Sequence, residues 1–360
     1  MEAAGRLRST GMKRRIAIVG AGALGGHVGG YLAKAGQDVT LIDAWPEHVE
    51  AMRRDGLTLR GQTGPENFTV PVNAIHITDL QKAGSRPFDI AFVAVKSYDT
   101  VWATQMIAQY LAADGYVVSL QNSINEERIA SVVGWGKTVG CIASAISVEL
   151  VGPAKVQRNV ALGGSRHTVF RIGEPHGRVT PRAKEIAEMV SVADSSKATT
   201  NLWGERWSKL IVNAMRNPVS AATGRGGNGN DRDPMTRWLA IRLAAEAVKV
   251  GLAHGYALES VYHIPPEKLL AAGEGDKAAR EECEGILLEQ VKHRNDEQRP
   301  SMGQDIMKGR RTEIDFINGL VAAKGAELKI ATPANSGIVE TVRRIERGEI
   351  APSPEAVAHI

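Results

Sequence analysis

Two apolar rhythms divide the chain. Up to about residue 200, short apolar runs alternate with amphipathic stretches; after Asn201 the spacing is helical. Ile16–Val19 and Phe88–Val95 are continuous apolar runs, the pattern of strands buried on both faces. Val39–Ile42 and Tyr116–Leu120 are further β-rich runs, and Leu57–Leu59 and Phe68–Val72 read as short strands. Pro46–Arg54 and Thr100–Leu111 read as helices. Strands alternating with helices predict an α/β domain with a parallel, doubly wound sheet. Between Val139 and Ile172 the texture turns Val-, Ile- and Thr-rich, with turn signals at Gly152-Pro153 and Gly163-Gly164, and predicts antiparallel extension strands. A helix over Pro181–Val192 and a strand near Ala198–Thr200 complete a first domain of residues 14–200.

The second domain, residues 201–350, is predicted to be all helical. Its helices are Trp203–Asn217, ending or kinking at Pro218, Met235–His254, the charged Ala278–Lys292, Ser301–Lys324 and Asn335–Glu346, with a loop at Gly224–Asp233. Alanine-rich faces with few β-branched residues suit a helix bundle. Residues 1–13 and 351–360 are expected to be flexible.

The richest stretch is Arg15–Asp43. After the first strand, Gly20, Gly22 and Gly25 follow at G-x-G-x-x-G spacing, and a helix opens through Ala23 and Leu24. Gly20 permits the turn out of the strand, Gly22 lets backbone approach a pyrophosphate, and Gly25 allows close helix–strand packing. The free N–H groups of the helix start face the anion. Asp43 ends the second strand, where it can accept hydrogen bonds from an adenosine ribose and repel a 2′-phosphate. Strand, glycines, helix, strand and acid in this order predict a Rossmann-type dinucleotide site that prefers NAD(H). Lys96 and Asn122 fall at the carboxyl ends of later strands, where open α/β sheets place their ligands.

Composition excludes more than it adds. The formal net charge of +4 over 360 residues is small and argues against nucleic acid as a partner. Two distant cysteines, Cys141 and Cys283, suggest neither a disulfide framework nor a metal site and fit a reducing, cytoplasmic setting. No apolar run reaches ~18 residues, so no membrane span is expected. The basic first residues lack the apolar core of a signal peptide. Long apolar helices such as Met235–His254 fit either a homodimer interface or an internal core.

Chemistry concentrates in two stretches of the helical half. In LWGERWSKLIVNAMRNPVSAA, Lys209, Asn213 and Asn217 lie at i, i+4 and i+8, along one face of a helix. Asparagine is a poor helix former, so two of them in line with a lysine point to a bound polar ligand. In PSMGQDIMKGRRTEIDFING, Ser301 is a candidate N-cap and Glu313 lies three turns further on. Lys308, Arg310 and Arg311 read as surface charges, and Arg299 as a surface charge or an attractor of an anionic substrate.

These motifs, IVGAGALGG, RWSKLIVNAMRNPVSA and SMGQDIMKGRRTEIDFING, resemble those of the ketopantoate reductase family, enzymes that reduce 2-dehydropantoate with NADPH. The resemblance spans most of Arg15–Glu346 and implies a helical second domain like that of 6-phosphogluconate dehydrogenase. It implies Lys209 as general acid, Glu313 as the group that holds a substrate hydroxyl and orients Lys209, and Asn213, Asn217 and Ser301 as substrate contacts. Asn122 would hold both the nicotinamide ribose and the substrate, and Lys96 would lie near the cofactor ribose. NADP(H) is the cofactor the resemblance implies.

Two departures matter. NADPH users of the family commonly place a basic residue just after the second strand, whereas Asp43 is followed here by Ala44 and Trp45. The family's LQNG reads Leu120-Gln121-Asn122-Ser123, without the glycine that gives backbone freedom, so a different local turn is expected. The segment Gly273–Arg299 also looks longer than in compact members. The expected substrate is a 2-oxo acid or ketone, 2-dehydropantoate or a related compound. The alternatives are an NAD-dependent catabolic alcohol dehydrogenase on a bulkier substrate and a non-catalytic nucleotide-binding regulator. Related 6-phosphogluconate and 3-hydroxyacid dehydrogenases share the N-terminal pattern but carry other signatures in the helical half.

Overall fold

The computed structural model describes residues 14–84, 86–296 and 298–360; the N-terminal segment 1–13, expected to be flexible, lies outside the described residues. From the amino end the elements are β1 (Arg15–Val19), α1 (Ala23–Lys34), β2 (Asp38–Asp43), α2 (Pro46–Asp55), β3 (Leu57–Arg60), β4 (Phe68–Val70), β5 (Asn73–His76), β6 (Phe88–Val93), α3 (Thr100–Ala108), β7 (Leu111–Ser119) and α4 (Glu126–Val133). Then come β8 (Thr138–Ala143), β9 (Val148–Gly152), β10 (Lys155–Arg158), β11 (Phe170–Gly173), α5 (Pro181–Val190) and β12 (Ser196–Thr199).

An eight-stranded sheet runs β12-β11-β8-β7-β6-β1-β2-β5. From β5 to β8 all neighbours are parallel, and the order reverses direction at β1. That reversal opens a crevice at the carboxyl ends of β1 and β6, the place where doubly wound sheets hold ligands. Apolar side chains of β1, β6 and β7 leave the sheet on both faces and feed two separate cores, as the continuous apolar runs require. The stretch predicted as antiparallel extension divides three ways. β8 joins the main sheet in parallel, β11 alone pairs antiparallel to it, and the β9–β10 hairpin leaves to form a second, four-stranded sheet β4-β3-β10-β9. Turn signals mark hairpins but do not say which sheet receives them.

The remaining residues are helical: α6 (Leu202–Thr223), α7 (Gly227–Arg232), α8 (Pro234–Ala253), α9 (Pro266–Gly273), α10 (Lys277–Val291), α11 (Ser301–Met307), α12 (Asn318–Glu327) and α13 (Pro333–Glu346). They share one apolar core around Trp207, Leu210 and Ile241. Four expectations need correction. The loop at Gly224–Asp233 contains the helical turn α7. The helix expected over Ser301–Lys324 is broken: α11 ends at Met307, Gly309 is left-handed (φ 61°), and a 3-10 turn at Ile314–Phe316 precedes α12. Ser301 is the first helical residue and Pro300 the cap position. The tail is also ordered. Ser353 N–H donates to Ala222 O at 2.9 Å, and Val357 is buried beside α6.

α6 also continues past Pro218 to Thr223 rather than ending there. Proline cannot donate to the carbonyl four residues back, which leaves Ala214 O without its helical partner. Asn318 Nδ2 fills that vacancy at 3.0 Å and also donates to Asn335 Oδ1 at 2.9 Å. Asn318 is fully buried, so Asn318→Leu should strand the Ala214 carbonyl. The expected loss of stability is about 1–3 kcal/mol, the cost of a buried unsatisfied group, read as a lower urea midpoint.

Candidate active site

The glycine turn is built as its spacing predicts. Gly20 has φ 92°, and a Cβ on Gly25 would come within 2.0 Å of Gly20 O. A Cβ on Gly22, by contrast, would meet nothing within 4 Å. No side chain caps the start of α1. The N–H groups of Ala23 and Leu24, at the uncapped start of α1 beside the open Gly22, are placed to meet a pyrophosphate.

Asp43 sits at the end of β2 with its carboxylate held by backbone: Ala21 N–H donates to Oδ2 at 2.8 Å and Trp45 N–H to Oδ1 at 2.9 Å. Arg53, the nearest following cation in the sequence, is engaged by Glu50, Asp79 and Ala74 O. A buried histidine adds to the brace. Ala154 N–H donates to His48 Nδ1 at 2.8 Å, which fixes the proton on Nε2; that nitrogen then donates to Ala21 O at 2.9 Å. His48 thus ties the glycine turn to the β9–β10 hairpin. Sequence reasoning passed it over as one polar residue on an amphipathic helix.

Across the crevice, α6 presents Lys209, Asn213 and Asn217 at successive turns. Asn213 Nδ2 reaches Asn122 Oδ1 at 3.4 Å, and Asn217 Nδ2 reaches Ser301 Oγ at 3.5 Å. These contacts aim the face at the carboxyl end of β7 and at α11. Lys209 lies one turn before Asn213, partly buried, with no ion pair or hydrogen bond to any described residue. Burial alone pushes its amine down to about 8 from the ordinary 10.5.

Glu313 is placed differently from its expected contact with Lys209. Its Oε1 accepts from Ser97 N–H at 2.9 Å and Ser97 Oγ at 2.7 Å, and its Oε2 lies 3.6 Å from Lys96 Nζ. Lys96 Nζ is bonded to Asp305 at 2.5 Å. Burial opposes the charge on Lys96, yet Glu313 and Asp305 outweigh it and raise its pKa. Asn125 Nδ2 completes the network, donating to Ser97 Oγ at 3.0 Å and to Asn122 O at 2.8 Å. Ser97, Asn125 and Asp305 were not singled out from sequence. Asp305 carried a usable signal, being four residues after Ser301 and so on the same face of α11.

The turn after Asn122 is left-handed at Ser123, without glycine. Ser123 has φ 66°, a conformation costing a non-glycine residue about 1–2 kcal/mol, and its hydroxyl donates to Phe316 O. Among the described residues no three His, Cys, Asp or Glu gather as a metal site, and no helix is long and apolar enough to cross a membrane. A separate surface groove between Trp135, Pro175, Arg182 and Trp203 holds none of these groups.

Family comparison decides what this cleft belongs to. The model described as ketopantoate reductase PanE/ApbA matches residues 16–171, and that of its C-terminal part matches residues 201–346. The chain belongs to the ketopantoate reductase family. The 2-dehydropantoate 2-reductase of Pyrococcus horikoshii is 33% identical over 327 residues, 89% of this chain and 94% of that protein. The enzyme of the same name from Archaeoglobus fulgidus is 31% identical over 342 residues, 93% of this chain and 99% of that protein. A crystal structure of a PanE/ApbA family ketopantoate reductase from Ralstonia eutropha JMP134 superposes with a TM-score of 0.74 at 28% identity, covering 93% and 99% of the two chains. This member of the family is accordingly an oxidoreductase that uses a nicotinamide cofactor.

Proposed function

We propose that the chain reduces the carbonyl of a 2-oxo acid, 2-dehydropantoate or a related compound, with Lys209 as general acid and NADH as the preferred cofactor. Lys209 carries the reading: an amine on the cleft face of α6, unpaired among the described residues and tuned by burial to about 8. The bound nicotinamide supplies the hydride. As the carbonyl carbon accepts it, the oxygen gains negative charge, which the Lys209 ammonium stabilises and then neutralises with its proton. Asn122 and Asn213 hold the reacting end of the substrate between the two halves of the protein. Ser301 and Asn217 bind its carboxylate. Glu313, positioned by Ser97 and Lys96, accepts a substrate hydroxyl. Loss of NADH absorbance with a panel of 2-oxo acids tests the reaction; inertness toward the whole panel would end this reading.

The NADH preference rests on Asp43. Its fixed charge stands where the ribose of a bound dinucleotide would pass, and Arg53, the nearest following cation in the sequence, is engaged by Glu50 and Asp79. Asp43→Asn removes the charge and keeps the size. The ratio of kcat/KM for NADPH over NADH is expected to rise at least roughly tenfold, a modest share of the repulsion between unit charges ~4 Å apart near a protein surface. Both values should fall somewhat, because the amide cannot accept from both Ala21 and Trp45. A ratio that stays put would remove the electrostatic argument.

A further inference from the structure

One charged side chain on the cleft side of α6 has no place in this mechanism. Arg216 follows Lys209 by seven residues, so helical geometry puts it roughly 20° around the helix from Lys209 and roughly 10 Å along it. It is 7% exposed. Its Nη1 pairs with Asp231 of α7, whose carboxylate, almost fully buried, also pairs with Arg294. The guanidinium carbon stands 4.8 Å from the ring of Tyr262, and the phenol is a further polar neighbour. Nε and Nη2 are buried and form no hydrogen bond of normal geometry with any described residue.

Three features suggest a site rather than a strut. Two guanidiniums share one carboxylate, so among the described residues this corner carries one surplus positive charge in a poorly solvated place, where an anion is needed. The free edge of the guanidinium is the part suited to grip a carboxylate in two-pronged fashion. The wall opposite is also specially built. Tyr262 and His263 form the tip of a two-residue hairpin closed by Val261 and Ile264, and both are left-handed (φ 53° and 66°) without being glycine. A two-residue type I′ hairpin requires this backbone at both central residues, and it places the Tyr262 ring over the guanidinium. Arg294 comes from the long Gly273–Arg299 segment, so that segment helps to fix Arg216 through Asp231.

We infer that Arg216 binds a second anionic group of the substrate, at the end remote from the reacting carbonyl, and that the chain prefers dicarboxylic 2-oxo acids over monocarboxylic ones of equal length. This rests on the reading of the cleft as a 2-oxo acid reductase. The substrate's own carboxylate lies at Ser301 and Asn217. Its distal carboxylate then takes up Nε and Nη2 by displacing the Tyr262 side chain from the guanidinium.

The test uses the full chain with NADH and substrates matched in carbon number: oxaloacetate with 2-oxobutyrate, 2-oxoglutarate with 2-oxopentanoate, and 2-oxoadipate with 2-oxohexanoate. In at least one pair the dicarboxylate should have a kcat/KM roughly 10- to 100-fold higher, the worth of a charge-assisted hydrogen bond. Arg216→Met should erase that ratio, mainly through the KM of the dicarboxylate, and Arg216→Lys should keep part of it. Equal treatment within every pair by the wild type, a preference that survives Arg216→Met, or an equal loss for both partners of a pair would overturn the inference. If the wild type turns over neither these acids nor 2-dehydropantoate, the reductase reading fails. Calorimetry with 2-hydroxyglutarate and NAD-loaded protein then judges Arg216 separately: binding lost in Arg216→Met supports the site, and binding that is absent or indifferent to the variant overturns it.

Discussion

Lys209→Ala is expected to lower the rate of carbonyl reduction at least ~100-fold, the lower end of the loss for a positioned general acid. Binding of the dinucleotide should change little, because its cradle is the glycine turn at the other wall of the crevice. The pH dependence offers a sharper check. Burial lowers the amine to about 8, and reduction needs the protonated form. In the wild type, kcat/KM for reduction should therefore be level below pH ~8 and fall about tenfold per unit above it. Oxidation of the corresponding hydroxy acid needs the free amine, so its kcat/KM should rise with pH and level off above ~8. In Lys209→Ala both inflections should vanish. A variant that turns over normally, or that keeps the inflection near 8, would assign the proton to another group.

How much of this was legible in the sequence depends on how local each feature is. The glycine turn is set by neighbours within one βαβ unit, so spacing alone located Gly20, Gly22, Gly25 and Asp43 in the order the fold uses them. The α6 face is equally local, because helical periodicity alone aligns Lys209, Asn213 and Asn217. The carboxylates of α11 and of the turn that follows were not legible in this way. Glu313 meets Ser97 across 216 residues and Asp305 meets Lys96 across 209, and no periodic pattern carries such a pairing. Pro218 misled for a related reason. Its penalty is local, but its relief comes from Asn318, about a hundred residues later. The ordered tail is the same case, since an unremarkable Val357 is buried only once the helices are assembled.

The two walls of the cleft differ in charge. On one side Lys96 stands between Asp305 and Glu313, two carboxylates to one ammonium. On the other, α6 brings Lys209 without a counter-charge and Arg216 in surplus over Asp231. In the proposed reaction that asymmetry orients the substrate, its anion toward α6 and its hydroxyl toward Glu313. Ser97 fixes the orientation of the Glu313 carboxylate, its N–H and hydroxyl both donating to Oε1.

Arg206→Met is expected to destabilise the protein by about 3–5 kcal/mol, the cost of breaking a buried ion pair from one side. Arg206 is 2% exposed, one turn before Lys209 on α6. It donates to Glu126 at 2.6 and 2.8 Å, to Gln121 O at 2.7 Å and to Ser119 O at 2.8 Å. These acceptors surround the end of β7 just before Asn122, so one side chain docks α6 onto the strand that leads into Asn122. With methionine there, Glu126 and two carbonyls lose their donors in a dry environment, while the apolar stem still fills the space. Double replacement with Glu126→Leu should recover part of the lost stability, because the unpaired carboxylate goes with it. Docking should not recover. The double variant is expected to fold, to bind NADH, and to show a raised KM and lowered kcat together, since the Lys209–Asn213 face is no longer held in register with Asn122. Urea unfolding separates the first effect from the second, and a double variant with wild-type kinetics would confine Arg206 to stability alone.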